Sequence, residues 1–254
     1  MVANPNKKNG TKIVEHRENI IKFRPQASPA TQALILTFDL EGFSRFFSQP
    51  DVHHYVPIFL NRVFDAVSIV INGGKDYWTP DSGLLKPFLM PPVHQKFLGD
   101  GALYIWTFKK GLVEFKKNTG DIASFINMIW NLKTFFKNII KACSDDVPVV
   151  DLPQRIRFGV TAGSVYKLTY SKSHDTEYIG YCINLASRLQ SYCRELGFIA
   201  SARIDLPEKT LKKHGYQKVI AKNLKGFPKE IVIVDKKEFN ELSEEIKEEL
   251  FDII

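Results

Sequence analysis

Cysteine is scarce in this sequence. Cys143, Cys182 and Cys193 are the three in 254 residues, and none forms a CxxC pair. An odd number leaves one thiol over in any disulfide scheme, so a disulfide framework is excluded and the expected state is reduced, structural thiols. Also lacking is any apolar run near the roughly 18–20 residues that span a bilayer. Met1 to Gly10 is rich in Asn and Lys and has no apolar core of the signal-peptide kind. These absences lead us to expect a cytoplasmic protein without a membrane partner. No internal repeat, low-complexity tract or linker to a second domain interrupts the chain.

What is present is enough for one core. Hydrophobic residues make up 44% and aromatics 12%, which excludes disorder throughout and suits a single domain of some 200 residues with short extensions. The formal net charge is +7 and the pI about 9.1, values that raise nucleic-acid binding as a reading. The lysines, however, cluster only in pairs (Lys109–Lys110, Lys116–Lys117, Lys212–Lys213, Lys236–Lys237), the pattern of solvated faces. No K/R-G-F/Y-G/A-F motif accompanies them, so nucleic acid is not an expected partner. A basic surface also suits a polyphosphate substrate.

Along the chain, residues 1–30 read as an arm with little periodicity, 31–236 as the domain proper and 237–254 as a C-terminal helix. Ala33 to Phe38 is a short apolar run ending at Asp39, a buried strand, and Glu41-Gly42-Phe43-Ser44 turns it into a helix. Tyr55 to Ile71 has helical spacing. Gly73 to Pro92 is dense in Gly and Pro and reads as an irregular connection. His94–Leu98 and Ala102–Phe108 flank Gly99-Asp100-Gly101, the spacing of a tight hairpin with an aspartate at its tip. Ile122 to Cys143 is an amphipathic helix, Arg155 to Val165 alternates as a strand, and Thr176 to Ile179 is its short return. Asn184 and Arg188 stand four apart in a helix over Cys182–Glu195, on one face. Short strands at 198–201, 218–220 and 230–234 precede a charged helix over Phe239–Phe251.

Asp39 and Asp100 each end an apolar strand beside glycine. Two such carboxylates on neighbouring strand ends offer the hard oxygen ligands that Mg2+ or Mn2+ needs near a triphosphate. Singly, a strand-end aspartate beside glycine is more often a turn residue. Asn184 and Arg188 alone read as an ordinary surface Asn and a salt-bridging Arg.

Four segments taken together say more: FDLEGFSRF (38–46), KFLGDGALYIW (96–106), RFGVTAGSVYKL (157–168) and EYIGYCINLASRL (177–189). In order and wording they resemble the class III adenylate/guanylate cyclase family over roughly residues 33–235. The resemblance implies an α+β fold, with a ferredoxin-like βαββαβ core, an antiparallel central sheet, helices on one face, and a head-to-tail homodimer. It implies two divalent cations per site, Mn2+ or Mg2+, held by Asp39 and Asp100 with the Leu40 carbonyl. One would activate the ribose 3′-hydroxyl and the other would offset charge on the leaving pyrophosphate. The Gly42-Phe43-Ser44 turn is similar to the family's phosphate-contacting turn. Asn184 and Arg188 match the pair that positions the ribose and stabilises charge at phosphorus, and by resemblance they come from the partner subunit. The family's late phosphate-binding lysine corresponds to Lys225 or Lys229. Lys167-Leu168 stands where the family commonly has another glycine.

Lys96 and Glu177 occupy the positions that read the adenine edge in ATP-using members, and Glu177 is one methylene longer than the usual aspartate. The DLEGFS wording followed by aromatics, the long Gly73–Pro92 connection and the lack of a sensor domain resemble the bacterial Pycsar pyrimidine cyclases. That implies conversion of UTP to cyclic UMP in antiphage defence, with the product acting on a separate effector protein. An aromatic helps select the small base in that family; Tyr55, Phe47 and Tyr178 are the candidates here. An adenylate cyclase, or a non-catalytic cyclase-like dimeric binding module, are the competing readings.

Overall fold

The computed structural model describes residues 26–73, 89–144, 146–169 and 176–254. Strand β1 (Gln26–Ala27) precedes the long β2 (Thr31–Glu41), a short helix α1 (Phe43–Phe47) and helix α2 (Val56–Ile71). Strands β3 (His94–Phe97) and β4 (Gly101–Phe108) form the hairpin, followed by helices α3 (Gly111–Lys117) and α4 (Thr119–Cys143). Then come β5 (Arg155–Thr169), β6 (Thr176–Ile179), helix α5 (Tyr181–Tyr192) and β7 (Phe198–Ser201). Helix α6 (Glu208–His214), strands β8 (Tyr216–Leu224) and β9 (Phe227–Asp235), helices α7 (Lys236–Glu241) and α8 (Glu244–Leu250), and β10 (Phe251–Ile253) complete the chain.

The strands join in one sheet in the order β10-β8-β9-β7-β5-β2-β4-β3, with β1 and β6 paired to β5. Alternation along β2 divides the core between its two faces, as a period of two requires. Leu34, Leu36, Phe38 and Leu40 face Phe59 and Val63 of α2 and Phe125, Ile129 and Leu132 of α4. Ala33 and Ile35 face the other way, against Cys182 and Ala186 of α5 together with Leu103, Ile105 and Val165. At full burial each large aliphatic or aromatic side chain contributes roughly 1.5–3 kcal/mol, so the two clusters fix β2 in place at the centre of the sheet.

Two glycines set how tightly the site's elements approach. A Cβ on Gly101 would lie 1.8 Å from the Phe38 carbonyl oxygen, so only glycine lets the hairpin close on β2. A Cβ on Gly159 would lie 2.0 Å from the carbonyl oxygen of Ala186, and α5 therefore seats directly on the backbone of β5. The start of α5 is also tied down laterally. Arg203 donates to the Tyr181 hydroxyl at 3.1 Å and forks onto Glu230 of β9 at 2.8 and 3.0 Å, while Ser201 donates to the same carboxylate at 2.8 Å. Glu230 is buried, and these bonds satisfy its charge.

Several expectations need correction. The sheet is mixed, because β5 and β7 run parallel while its other pairs are antiparallel. Helices cover both faces, since α5 packs on the side opposite α2 and α4. The single C-terminal helix is two: it breaks at Leu242, Ser243 caps α8 by accepting from the Ile246 N–H at 3.3 Å, and Phe251 returns to pair with Ala221 as a strand. Part of the N-terminal arm is ordered as β1, against Leu168 and Thr169. Residues 1–25 and most of the Gly73–Pro92 connection lie outside the described residues. Among those described, no helix is long and apolar enough to cross a membrane.

Candidate active site

Asp39 lies near the end of β2, opposite Gly101 on β4 and opposite Arg157 on β5. The hairpin that carries Asp100 is closed by the Leu98 N–H donating to the Gly101 carbonyl at 2.9 Å. The two aspartates expected to act together are thus neighbours at one end of the sheet. Asp100 senses its neighbour: burial raises its pKa above the ordinary aspartate value and the charge of Asp39 adds to this, while a backbone hydrogen bond and Arg157 oppose it. Leu40 buries its side chain in the core, so only its main chain is available to the site.

Arg157 was not among the expected site residues. It forks onto Asp39, Nε to Oδ1 at 2.9 Å and an Nη to Oδ2 at 2.7 Å, with both side chains largely shielded from solvent. Its hydrogen bonds to Asp39, with the charges of Asp39, Glu41 and Asp100, raise its pKa further, so it stays protonated. Glu41, on the same side of β2, pairs with Arg155 at 3.6 Å and with Arg194. The signal for Arg157 was the first letter of RFGVTAG, but its meaning depends on the β2–β5 register.

Phe43 and Ser44 open α1 directly after Gly42. Phe43 packs on Phe46 and Phe47 at ring separations of 5.7 and 6.1 Å, and Ser44 is exposed. Lys96 on β3 and Glu177 on β6 form an ion pair at 2.6 Å, which brings the two expected base readers to one place. His94, two residues before Lys96 on the same strand face, packs on Tyr178 at 5.2 Å. Burial holds the pKa of His94 below its ordinary value, with Glu177 opposing and Lys96 assisting. A cleft of about 480 Å3 opens between α2 and the hairpin, lined among others by Val56, Pro57, Asn61, Phe64, Gln95 and Lys96. Tyr55 adjoins it as the residue before Val56, half-buried against the core. Phe47, in contrast, is exposed.

Asn184 and Arg188 lie on the exposed face of α5, whose other face carries the buried Cys182, Leu185, Ala186 and Leu189. Among the described residues neither side chain has an ion-pair or hydrogen-bond partner, and the structure does not bring either to Asp39 within the chain. Lys225 sits in the turn between β8 and β9, whereas Lys229 pairs with Asp252 at 3.8 Å. Burial pushes all three thiols up to about 11, so they are protonated at neutral pH.

The donor chemistry of Asp39 and Asp100 fits a hard divalent cation: two carboxylates on neighbouring strand ends. Among the described residues no group of three or more His, Cys, Asp or Glu side chains is arranged to hold a metal. A complete shell therefore draws on main-chain, water or substrate oxygens, as Mg2+ sites commonly do.

No family model and no curated sequence relative matches the chain. Solved structures do. The adenylyl cyclase CyaB from P. aeruginosa matches with a TM-score of 0.57 at 19% identity, over 84% of this chain and 96% of that one. The guanylyl cyclase Cya2 matches at 0.54 and 17% identity, over 83% and 93%. The catalytic core of a rhodopsin-guanylyl cyclase with converted specificity, in complex with ATPalphaS, matches at 0.51 and 15% identity, over 82% and 97%. At these identities the likeness concerns architecture, and the chain has the α+β fold of adenylyl and guanylyl cyclase catalytic domains.

Proposed function

We propose that this chain is a nucleotide cyclase that converts UTP to 3′,5′-cyclic UMP and pyrophosphate at two sites shared across a head-to-tail homodimer. The observation that carries the reading is the adjacency of Asp39 and Asp100 at one end of the central strands, in a chain with the cyclase catalytic-domain fold. The strand order β5-β2-β4-β3, with α2 and α4 on one face, supports reading this part as a ferredoxin-like βαββαβ core.

In the reaction the ribose 3′-oxygen attacks the α-phosphorus, the bond from that phosphorus to the αβ-bridging oxygen breaks, the hydroxyl proton passes to solvent water and the bridging oxygen leaves with pyrophosphate. Two divalent cations held by Asp39, Asp100 and the Leu40 carbonyl would supply the Lewis acidity this needs. The Phe43–Ser44 turn would lie along the triphosphate. Asn184 and Arg188, exposed on α5 and without a partner among the described residues, would reach the site of the partner subunit, where the guanidinium would offset charge developing at phosphorus.

Lys96 and Glu177 set a donor beside an acceptor, which suits a uracil carbonyl next to N3–H. Cytosine would turn its N3 lone pair toward the carboxylate. We assign Tyr55, beside the cleft near Lys96, as the aromatic that limits the space to a pyrimidine. Second-messenger synthesis in antiphage defence, with the product acting on a separate effector, is the role we attach to this activity; it rests on the sequence resemblance.

The shared site is tested by complementation. Asp39→Ala and Arg188→Ala proteins are each expected to lose UTP turnover by at least about a hundredfold, as removal of a transition-state contact does. Mixed or coexpressed, they should regain part of it, because one of the heterodimer's two sites keeps every part. No recovery in coexpressed, folded dimers would place the active site within one chain.

A further inference from the structure

Asp39, on which the proposed cation site depends, is already engaged. Both its carboxylate oxygens accept from Arg157, at 2.9 and 2.7 Å, in the two-point geometry that gives the strongest carboxylate contacts. The pair is built into the sheet, since register sets the two residues directly opposite on β2 and β5. It is also well shielded, at 18% and 24% side-chain exposure, so solvent screens it little. Glu41 is likewise matched by Arg155 and Arg194. The carboxylates of Asp39 and Glu41 are thus each matched by guanidinium groups, Arg157 for the first and Arg155 with Arg194 for the second. A divalent cation approaching Asp39 meets the guanidinium charge of Arg157 in contact with the carboxylate, with one N–H on each of its oxygens.

We propose that Arg157 is a positioning residue that acts as an internal counter-ion for Asp39, so that a divalent cation enters only by displacing its guanidinium from the carboxylate. This rests on the reading of Asp39 and Asp100 as cation ligands. It differs from a purely orienting role in the sign of its consequence. A residue that only orients Asp39 strengthens cation binding, and its removal weakens it. A counter-ion that competes for the same oxygens weakens binding, and its removal strengthens it.

The test is Mn2+ binding to the nucleotide-free protein, followed by the electron paramagnetic resonance signal of free Mn2+, for the wild type, Arg157→Met and Arg157→Lys. Arg157→Met is expected to bind Mn2+ at least about tenfold more tightly, a conservative figure for unit charges in contact near a protein surface. Arg157→Lys, which keeps the charge but loses the fork, should fall between. Should Arg157→Met fail to fold by circular dichroism, Arg157→Lys decides alone. Equal or weaker binding in the folded variant overturns the counter-ion role while leaving the cation ligands standing. The gain should vanish when Asp39→Asn is added; Mn2+ held as tightly in that double variant would overturn the ligand reading, and the counter-ion role with it.

Discussion

Asp100 is under opposing demands: the proposed cation would need it ionised, whereas burial favours the proton. Burial is the largest cause of its raised pKa and the charge of Asp39 adds to it. For a carboxyl raised in the folded state, the ionised form is the less stable one. The protein therefore loses stability as pH climbs from the ordinary aspartate value through the raised one. Asp100→Asn, measured in EDTA at pH 7.5, should be inactive yet melt no lower than the wild type. The expected gain is small, because solvent reaches part of the carboxyl and screens it. The gain should disappear below the unfolded-state pKa, where both proteins are uncharged at this position. A clear loss of stability at pH 7.5 would mean that the ionised carboxyl supports the fold. Arg157 opposes the burial effect, which is one reason the site tolerates two neighbouring carboxyls at all.

Helix α5 is held at a height set by Gly159. Because a Cβ there would meet the Ala186 carbonyl at 2.0 Å and the Gln190 nitrogen at 2.7 Å, Gly159→Val must lift the helix that carries Asn184 and Arg188. Overpacking of this kind costs about 1–3 kcal/mol. Turnover should be lost even at temperatures where circular dichroism shows a folded protein, and full activity in this variant would break the link between α5 and catalysis. The elements that bear the site were legible in the sequence because their signals are local: β2 from its apolar run ending at Asp39, the hairpin from Gly99-Asp100-Gly101, and α5 from its spacing. What joins them was not. The Asp39–Arg157 ion pair depends on β2–β5 register across more than a hundred residues, and no local pattern encodes that offset. The seven-residue helices α3 and α6 are too short to show two full turns of periodicity. At the C-terminus Ser243 with two acidic residues after it was a readable helix start, overridden by the continuous charged pattern.

Among the described residues, the chain carries the parts of the proposed shared site without closing one. Arg188 is exposed on one face and has no partner among the described residues, and Asp39 is matched internally by Arg157. Met90, Val93, Phe97, Ile179 and Tyr181 are large apolar side chains left exposed on the single chain. A second copy packed against them would remove that surface from water and bring Arg188 toward the partner's Asp39, which is the arrangement we propose. The reaction and the base it acts on are what the proposed site exists to determine. Purified protein incubated with Mn2+ and equimolar ATP, GTP, CTP and UTP, with products read by mass spectrometry, addresses both most directly. The account predicts that 3′,5′-cyclic UMP dominates with stoichiometric pyrophosphate, since unpaired polar groups and lost space in a desolvated pocket are worth several kcal/mol against the other bases. Dominant cyclic AMP would contradict the base assignment, and no cyclic product from any of the four would contradict the cyclase itself.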